Sequence, residues 1–72
     1  MSQAAALDVA SRAQSALEQS PIYLLRQIRV SEVADCLHLA GRVDSFYHKQ
    51  MAQELVLAVS DGVTVVNTIA VD

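Results

Sequence analysis

The spacing of apolar residues switches between a helical and an alternating pattern along this chain. Apolar residues recur at every third or fourth position over 4–19 and 45–60, and at every second position over 26–33, 36–43 and 63–71. The first spacing is typical of amphipathic helices and the second of half-buried strands. A chain of 72 residues has room for one domain, and these segments fill it. The sequence therefore predicts helix, strand, strand, helix and strand, in that order.

Boundary residues support both predicted helices. Pro21 lacks a backbone donor and disfavours a helical conformation in Ser20, so the first helix should end near residue 19. The oxygen of Asp44 or Ser45 can accept a hydrogen bond from a free amide at the start of the second helix, and Gly62 can take the left-handed conformation that follows a helix. The apolar stripes comprise Ala6, Val9, Ala10, Ala13, Ala16 and Leu17 in the first helix, and His48, Met51, Ala52, Leu55, Val56 and Val59 in the second.

The two central strands are separated by a short break at Ala34-Asp35, which is typical of a β-hairpin. A glycine commonly follows the aspartate in such a turn, whereas Cys36 follows Asp35 here, so the sequence leaves the turn type open. Each helix has one apolar stripe and each strand one apolar face, and such faces must be buried against one another. We therefore expect an α+β fold: a single α-β-β-α-β domain with both helices on one face of a three-stranded mixed sheet.

Three motifs resemble the BON domain family, of the OsmY and nodulation type. They are Ile28-Arg-Val followed by Asp35-Cys-Leu-His-Leu-Ala-Gly-Arg-Val43, then Lys49-Gln-Met-Ala52, then Gly62-Val63 with Val66-Asn67-Thr-Ile69-Ala-Val71. The order and spacing of these motifs match the family over residues 20–72, while the first helix agrees only in kind. The resemblance implies a non-enzymatic module, usually bacterial, that binds phospholipid membranes or cell-envelope components. It supplies no catalytic residue.

Composition narrows the functional classes. The net charge of −3 disfavours a nucleic-acid binder, which would normally present a basic face. No run of apolar residues approaches the ~20 needed to span a membrane, and no signal peptide is visible, so the sequence as written reads as cytoplasmic. The family resemblance favours the cell envelope instead, and the compartment stays open.

Catalytic and metal-binding hypotheses are weak. Asp44, Ser45 and His48 lie close together in the sequence, but helix capping explains the first two more simply than a catalytic triad does. Cys36 and His38 should share one sheet face and offer two ligands, whereas a stable zinc site needs three or four. The chain has no glycine-rich phosphate loop. We expect no enzymatic activity, metal or cofactor.

Two surfaces are candidates for binding. The open sheet face should display Arg29, His38, Arg42 and Val66, and it is less polar than a freely solvated face. The start of the second helix carries Phe46, Tyr47 and Lys49, which suit a lipid interface. We expect a phospholipid-binding module; the alternative is a protein-interaction or homo-oligomerisation domain that uses the open sheet face.

Overall fold

A mixed sheet carries helices on one of its faces. The computed structural model describes the backbone of residues 2–72 and the side chains of residues 8–72. The elements are α1 (Ser2–Glu18), α2 (Tyr23–Arg26), β1 (Arg29–Val33), β2 (Cys36–Ala40), β3 (Arg42–Val43), α3 (Phe46–Leu57), β4 (Val65–Asn67) and β5 (Ala70–Val71). This is the α+β architecture that the sequence predicts, with one additional short helix.

The sheet is built around β2. Strand β1 pairs with it antiparallel and β4 pairs with it parallel, which gives the order β1-β2-β4. Beyond Gly41 the chain continues as β3, which pairs parallel with β5. The second ladder therefore prolongs the parallel pairing begun by β2 and β4. Because β4 is parallel to β2, the intervening helix α3 must run back along the sheet from the end of β3 to the start of β4.

The core contains the residues that the two periodicities predict. Leu37 and Leu39 are buried from β2, Ile28 just before β1, and Ile69 between β4 and β5. Ala52 and Val56 are buried from α3. Val9, Ala13 and Leu17 are buried from α1, while Ala6 of the predicted stripe lies outside the described side chains. Alternate strand residues therefore turn inward, as predicted.

Helix α2 lies in a segment that shows no period in the sequence. The strand predicted over 26–33 starts only at Arg29, because the amides of Gln27 and Ile28 donate to the carbonyls of Leu24 and Leu25. A single turn is too short to show helical periodicity. Leu25 anchors the turn in the core.

The strand predicted over 36–43 is interrupted at Gly41. This residue has φ +146°, and a Cβ there would lie 2.9 Å from Cδ1 of Ile28. Only glycine fits both the backbone conformation and the close approach. The interruption lets the chain bend between β2 and β3 without losing its parallel partner.

The strand predicted over 63–71 starts at Val65 and is interrupted at Thr68-Ile69. The Asn67 side chain accepts from the Ile69 amide at 3.1 Å, and the Thr68 hydroxyl donates to the Leu39 carbonyl at 2.6 Å. The Thr68 and Ala70 amides still donate to the carbonyls of Leu39 and Gly41, so the interruption is local and lies opposite the bend at Gly41.

Helix α3 is shorter than the predicted 45–60. Ser45 is its N-cap, since its hydroxyl accepts from the His48 amide at 3.2 Å. The helix ends at Leu57, and the chain then turns through Asp61 and Gly62, which both have positive φ.

The hairpin turn consists of Ala34 and Asp35, with φ of 53° and 63°. A two-residue turn with both central residues at positive φ is the type I′ turn that fits the twist of paired strands. Cys36 is not part of the turn; it is the first residue of β2 and pairs with Val33. The turn therefore holds an alanine in a conformation that costs an L-residue about 1–2 kcal/mol.

We predict that Ala34→Gly stabilises the domain by up to about 1 kcal/mol, because relief of this strain exceeds the added flexibility of the unfolded chain. Thermal unfolding should show a midpoint several degrees higher. The matched control is Ala40→Gly, at an exposed strand position without positive φ, which should lower stability by about 0.5–1 kcal/mol. An equal loss of stability in the two variants would show that the backbone at Ala34 is not strained.

The outer edge of β1 is closed by a side chain of α1. The Gln14 amide group donates to the Ile28 carbonyl at 2.9 Å and accepts from the Val30 amide at 2.8 Å. These two bonds take the place of part of a neighbouring strand. They also fix the position of α1, whose buried side chains are mainly small.

We predict that Gln14→Ala lowers the free energy of unfolding by about 1–3 kcal/mol, because it leaves two half-buried backbone groups without partners. Denaturant unfolding would measure the loss. The control is Gln19→Ala, which removes only an exposed bond to Ser15 and should change stability by less than about 0.5 kcal/mol. Equal effects of the two substitutions would show that the Gln14 contacts contribute nothing specific.

Candidate functional site

One end of the domain collects residues from four separate elements. Arg29 starts β1 and lies across from Ala40 at the end of β2. Helix α2 directly precedes β1 and contacts both β3 and α3. Only two residues separate the end of β3 from the start of α3, so the first turn of α3 lies at the same end. We call this end, formed by Tyr23, Arg26, Arg29, Arg42, Phe46, Tyr47 and Lys49, the basic end.

The aromatic residues of the basic end are strongly exposed. Phe46 is 74% exposed, Tyr47 69% and Tyr23 63%. The Tyr23 ring faces the Arg26 guanidinium, whose Cζ lies 5.4 Å from the ring centroid. These three exposed aromatic rings give this end apolar surface that the core does not use.

The basic residues of the domain are unevenly distributed. Four of its five basic residues lie at the basic end, and the fifth, Arg12, pairs with Asp61 at 3.2 Å near the opposite end. The hairpin end carries Glu32, Asp35 and Asp61. Its position follows from the pairing of Leu37 with Val65, which brings the start of β4 beside the hairpin. The hairpin end is therefore acidic, whereas the four basic residues of the basic end lie beside two carboxylates, Asp72 on Arg42 and Asp44 on His48.

Not every cation at the basic end is free. Arg42 donates to the Asp72 carboxylate at 2.6 Å, with both side chains exposed. Among residues 8–72, Arg26, Arg29 and Lys49 make no ion pair within 4.0 Å. These three are the charges available to an anionic ligand.

The structure divides the predicted site residues into two groups. Arg29, Arg42, Phe46, Tyr47 and Lys49 meet at the basic end. His38 and Val66 pair with each other in the middle of the open sheet face, away from that end.

Sequence reasoning missed Tyr23 and Arg26. They precede the first strand in a segment without periodicity, and only the contact of α2 with β3 and α3 brings them to the site. Their exposed aromatic and basic side chains were the one available signal, and such side chains are common on any surface.

The cluster of Asp44, Ser45 and His48 is arranged for capping. The Asp44 carboxylate contacts Nδ1 of His48 at 2.7 Å, while the Ser45 hydroxyl binds the His48 backbone amide. Within the side chains of residues 8–72, Nε2 of His48 has no hydrogen bond to a hydroxyl or thiol. The carboxylate and imidazole therefore meet without the nucleophile that a triad needs.

Metal ligands are sparse in the described part of the chain. Cys36 and His38 lie half-buried on the open sheet face, where they pair with Val33 and Ser31 of β1. Across residues 8–72 no three His, Cys, Asp or Glu side chains converge on one point. The pair offers two ligands, as the sequence indicates.

A shallow groove runs along α3 from the basic end. Its volume is about 330 Å³, and its lining residues are Tyr47, Gln50, Met51, Glu54 and Leu55. The walls are mainly apolar, and Gln50 donates to Glu54 at its rim. The groove extends the apolar surface of the aromatic residues by two helical turns.

A comparison with protein families identifies this architecture. The model of the BON domain matches residues 6–72, essentially the whole chain. The chain belongs to the BON domain family. No curated protein matches it in a sequence search. No helix within the described residues is long and apolar enough to cross a membrane.

BON domains are binding modules, and this BON domain has the fold expected of one. Membership confirms the resemblance drawn from the strand and helix motifs. The family match begins at residue 6 and therefore includes most of α1. In the sequence, this helix matched the family only in being a helix and not in a residue motif.

Proposed function

We propose that this BON domain binds anionic phospholipid membranes through its basic end. The observation that carries the proposal is the coincidence of three strongly exposed aromatic rings with three unpaired cations at one end of the molecule. Phospholipid binding is also the function proposed for the family. We infer no specific headgroup.

The two groups of side chains have complementary roles. Each basic residue near an anionic surface contributes about 1 kcal/mol of attraction, which falls away within a Debye length. Aromatic rings insert their apolar bodies between headgroups and acyl chains, and tyrosine keeps its hydroxyl at the polar boundary. Attraction by Arg26, Arg29 and Lys49 would bring the domain to the surface, and Tyr23, Phe46 and Tyr47 would hold it there.

The acidic hairpin end supports the same orientation. Glu32 and Asp35 at the hairpin would be repelled by an anionic surface and would point away from it. The domain would therefore stand on its basic end with the sheet roughly upright. The open sheet face, with His38 and Val66 at its centre, would remain free.

We predict that Arg26→Gln/Arg29→Gln weakens binding to anionic vesicles roughly 20- to 30-fold, since about 2 kcal/mol of attraction is lost. Co-sedimentation with anionic and neutral vesicles at low and high salt would measure the change. The native protein should pellet with anionic vesicles at low salt and much less at high salt.

The matched control is Arg12→Gln, which removes the same charge from the opposite end and should leave binding within about twofold of the native protein. Thermal unfolding of every variant checks that the fold is retained. Absence of binding to anionic vesicles at low salt would refute the proposal. An equal loss in the Arg12 variant would show that net charge, and not the basic end, determines binding.

A further inference from the structure

The two edges of the sheet differ in whether their outward backbone groups have hydrogen-bond partners. The β1 edge is closed by the Gln14 side chain, as described above. The other edge is formed by residues 64–72. Within this segment the backbone groups of the even-numbered residues point toward β2 and β3. The Leu37 amide donates to the Thr64 carbonyl, and the amides of Thr68, Ala70 and Asp72 donate to carbonyls of β2, Gly41 and β3. The groups of the odd-numbered residues must therefore point outward.

These outward groups form an open edge. By this alternation the amides of Val65, Asn67 and Val71 face away from β2 and β3, whereas the Ile69 amide donates to the Asn67 side chain and the Val63 amide donates to the Ser60 carbonyl. Natural edge strands are commonly protected by charges, proline or bulges. Residues 62–71 contain no charged residue and no proline. Apart from the break at Thr68-Ile69, this edge can accept another strand.

A flank of α3 lies directly above this edge. The Asn67 side chain donates to the Lys49 carbonyl at 3.1 Å and to the Gln53 side chain at 3.1 Å, which places that side of the helix over β4. Phe46 and Leu57 lie on the same side, because they are seven residues before and four residues after Gln53. They are 74% and 45% exposed.

The positions of these residues match under a two-fold rotation. Asn67 lies beneath the stretch from Lys49 to Gln53, which is midway between Phe46 and Leu57. A two-fold axis midway between the Asn67 residues of two copies, perpendicular to the sheet, would pair the edge antiparallel with itself and run two α3 helices antiparallel side by side. Phe46 of each copy would then face Leu57 of the other.

We propose that the β4–β5 edge is a self-association site and that its occupant is a second copy of this chain. The strands would join into one continuous sheet, and the Phe46 and Leu57 side chains would close over the junction, so that Phe46 would be available to a membrane only in the monomer. The pairing is isologous, so it stops at a dimer. At the β1 edge Gln14 already occupies the Ile28 carbonyl and the Val30 amide, which disfavours growth into a longer sheet.

Charge does not oppose this arrangement. The paired strands are uncharged, and the two-fold axis places Lys49 near Gln53 and Glu54 of the second copy, away from the other Lys49. The contact is small beside a standard interface of about 1,600 Å². We therefore expect a weak dimer that forms at high protein concentration.

Amide hydrogen exchange across a dilution series tests the proposal directly. Exchange at Val65, Asn67 and Val71 should slow as concentration rises, while exchange at Val66, Thr68 and Ala70, which face inward in the ladder, should not change. Sedimentation over the same range should show monomer converting to dimer. Fast exchange at the three outward amides at every concentration, or a strict monomer, would overturn the proposal.

Leu57→Lys should abolish the dimer, because it places a charge against the second copy's Phe46. The control is Ala58→Lys, an exposed position about 100° further round the helix, which should dimerise like the native protein. Equal dimerisation of the two variants would also overturn the proposal. Leu57 lies far from the basic end, so Leu57→Lys should still bind anionic vesicles, and failure of one proposal leaves the other standing.

Discussion

The parallel pairing of β2 with β4, prolonged by β3 with β5, determines where every other element lies. It requires α3 to return along the sheet, so that the helix starts at the end of β3 and finishes beside the hairpin. It depends on Gly41, where the chain bends with φ +146° against Ile28. A side chain at this position would be strained at φ +146° and would crowd Cδ1 of Ile28. The site at the start of α3 follows from this geometry.

The same pairing explains how a chain of negative net charge collects basic residues at one end. Arg29, Arg42 and Lys49 are spread over 20 residues of sequence and belong to three elements. The antiparallel hairpin brings the start of β1 beside the end of β2, and the following helix starts there too. The acidic hairpin lies at the opposite end because β1 runs away from the basic end. The loop after α3 lies there too, because α3 runs back along the sheet.

The sequence predicts those parts of the fold that depend on repeated local patterns. Leu37, Leu39 and Ile69 are buried because they alternate, and Ala52 and Val56 because they recur at helical spacing. What it misses depends on single contacts between distant residues. The bonds of Gln14 to β1, and the use of the Ile69 amide by Asn67, follow no periodicity. The site is predicted only in part for the same reason. The sequence shows its aromatic and basic residues, but it does not show the tertiary contact of α2 with β3 and α3 that brings Tyr23 and Arg26 to them.

In the proposed binding mode, one end of this BON domain faces the membrane and the other faces away. Nuclear magnetic resonance with anionic bicelles that contain a spin-labelled lipid tests it residue by residue. If the basic end faces the membrane, the backbone signals of Tyr23, Arg29 and Tyr47 should broaden strongly, while those of Asp35 and Asp61 should remain sharp. Strongest broadening at the hairpin, or at His38 and Val66 on the open sheet face, would contradict it.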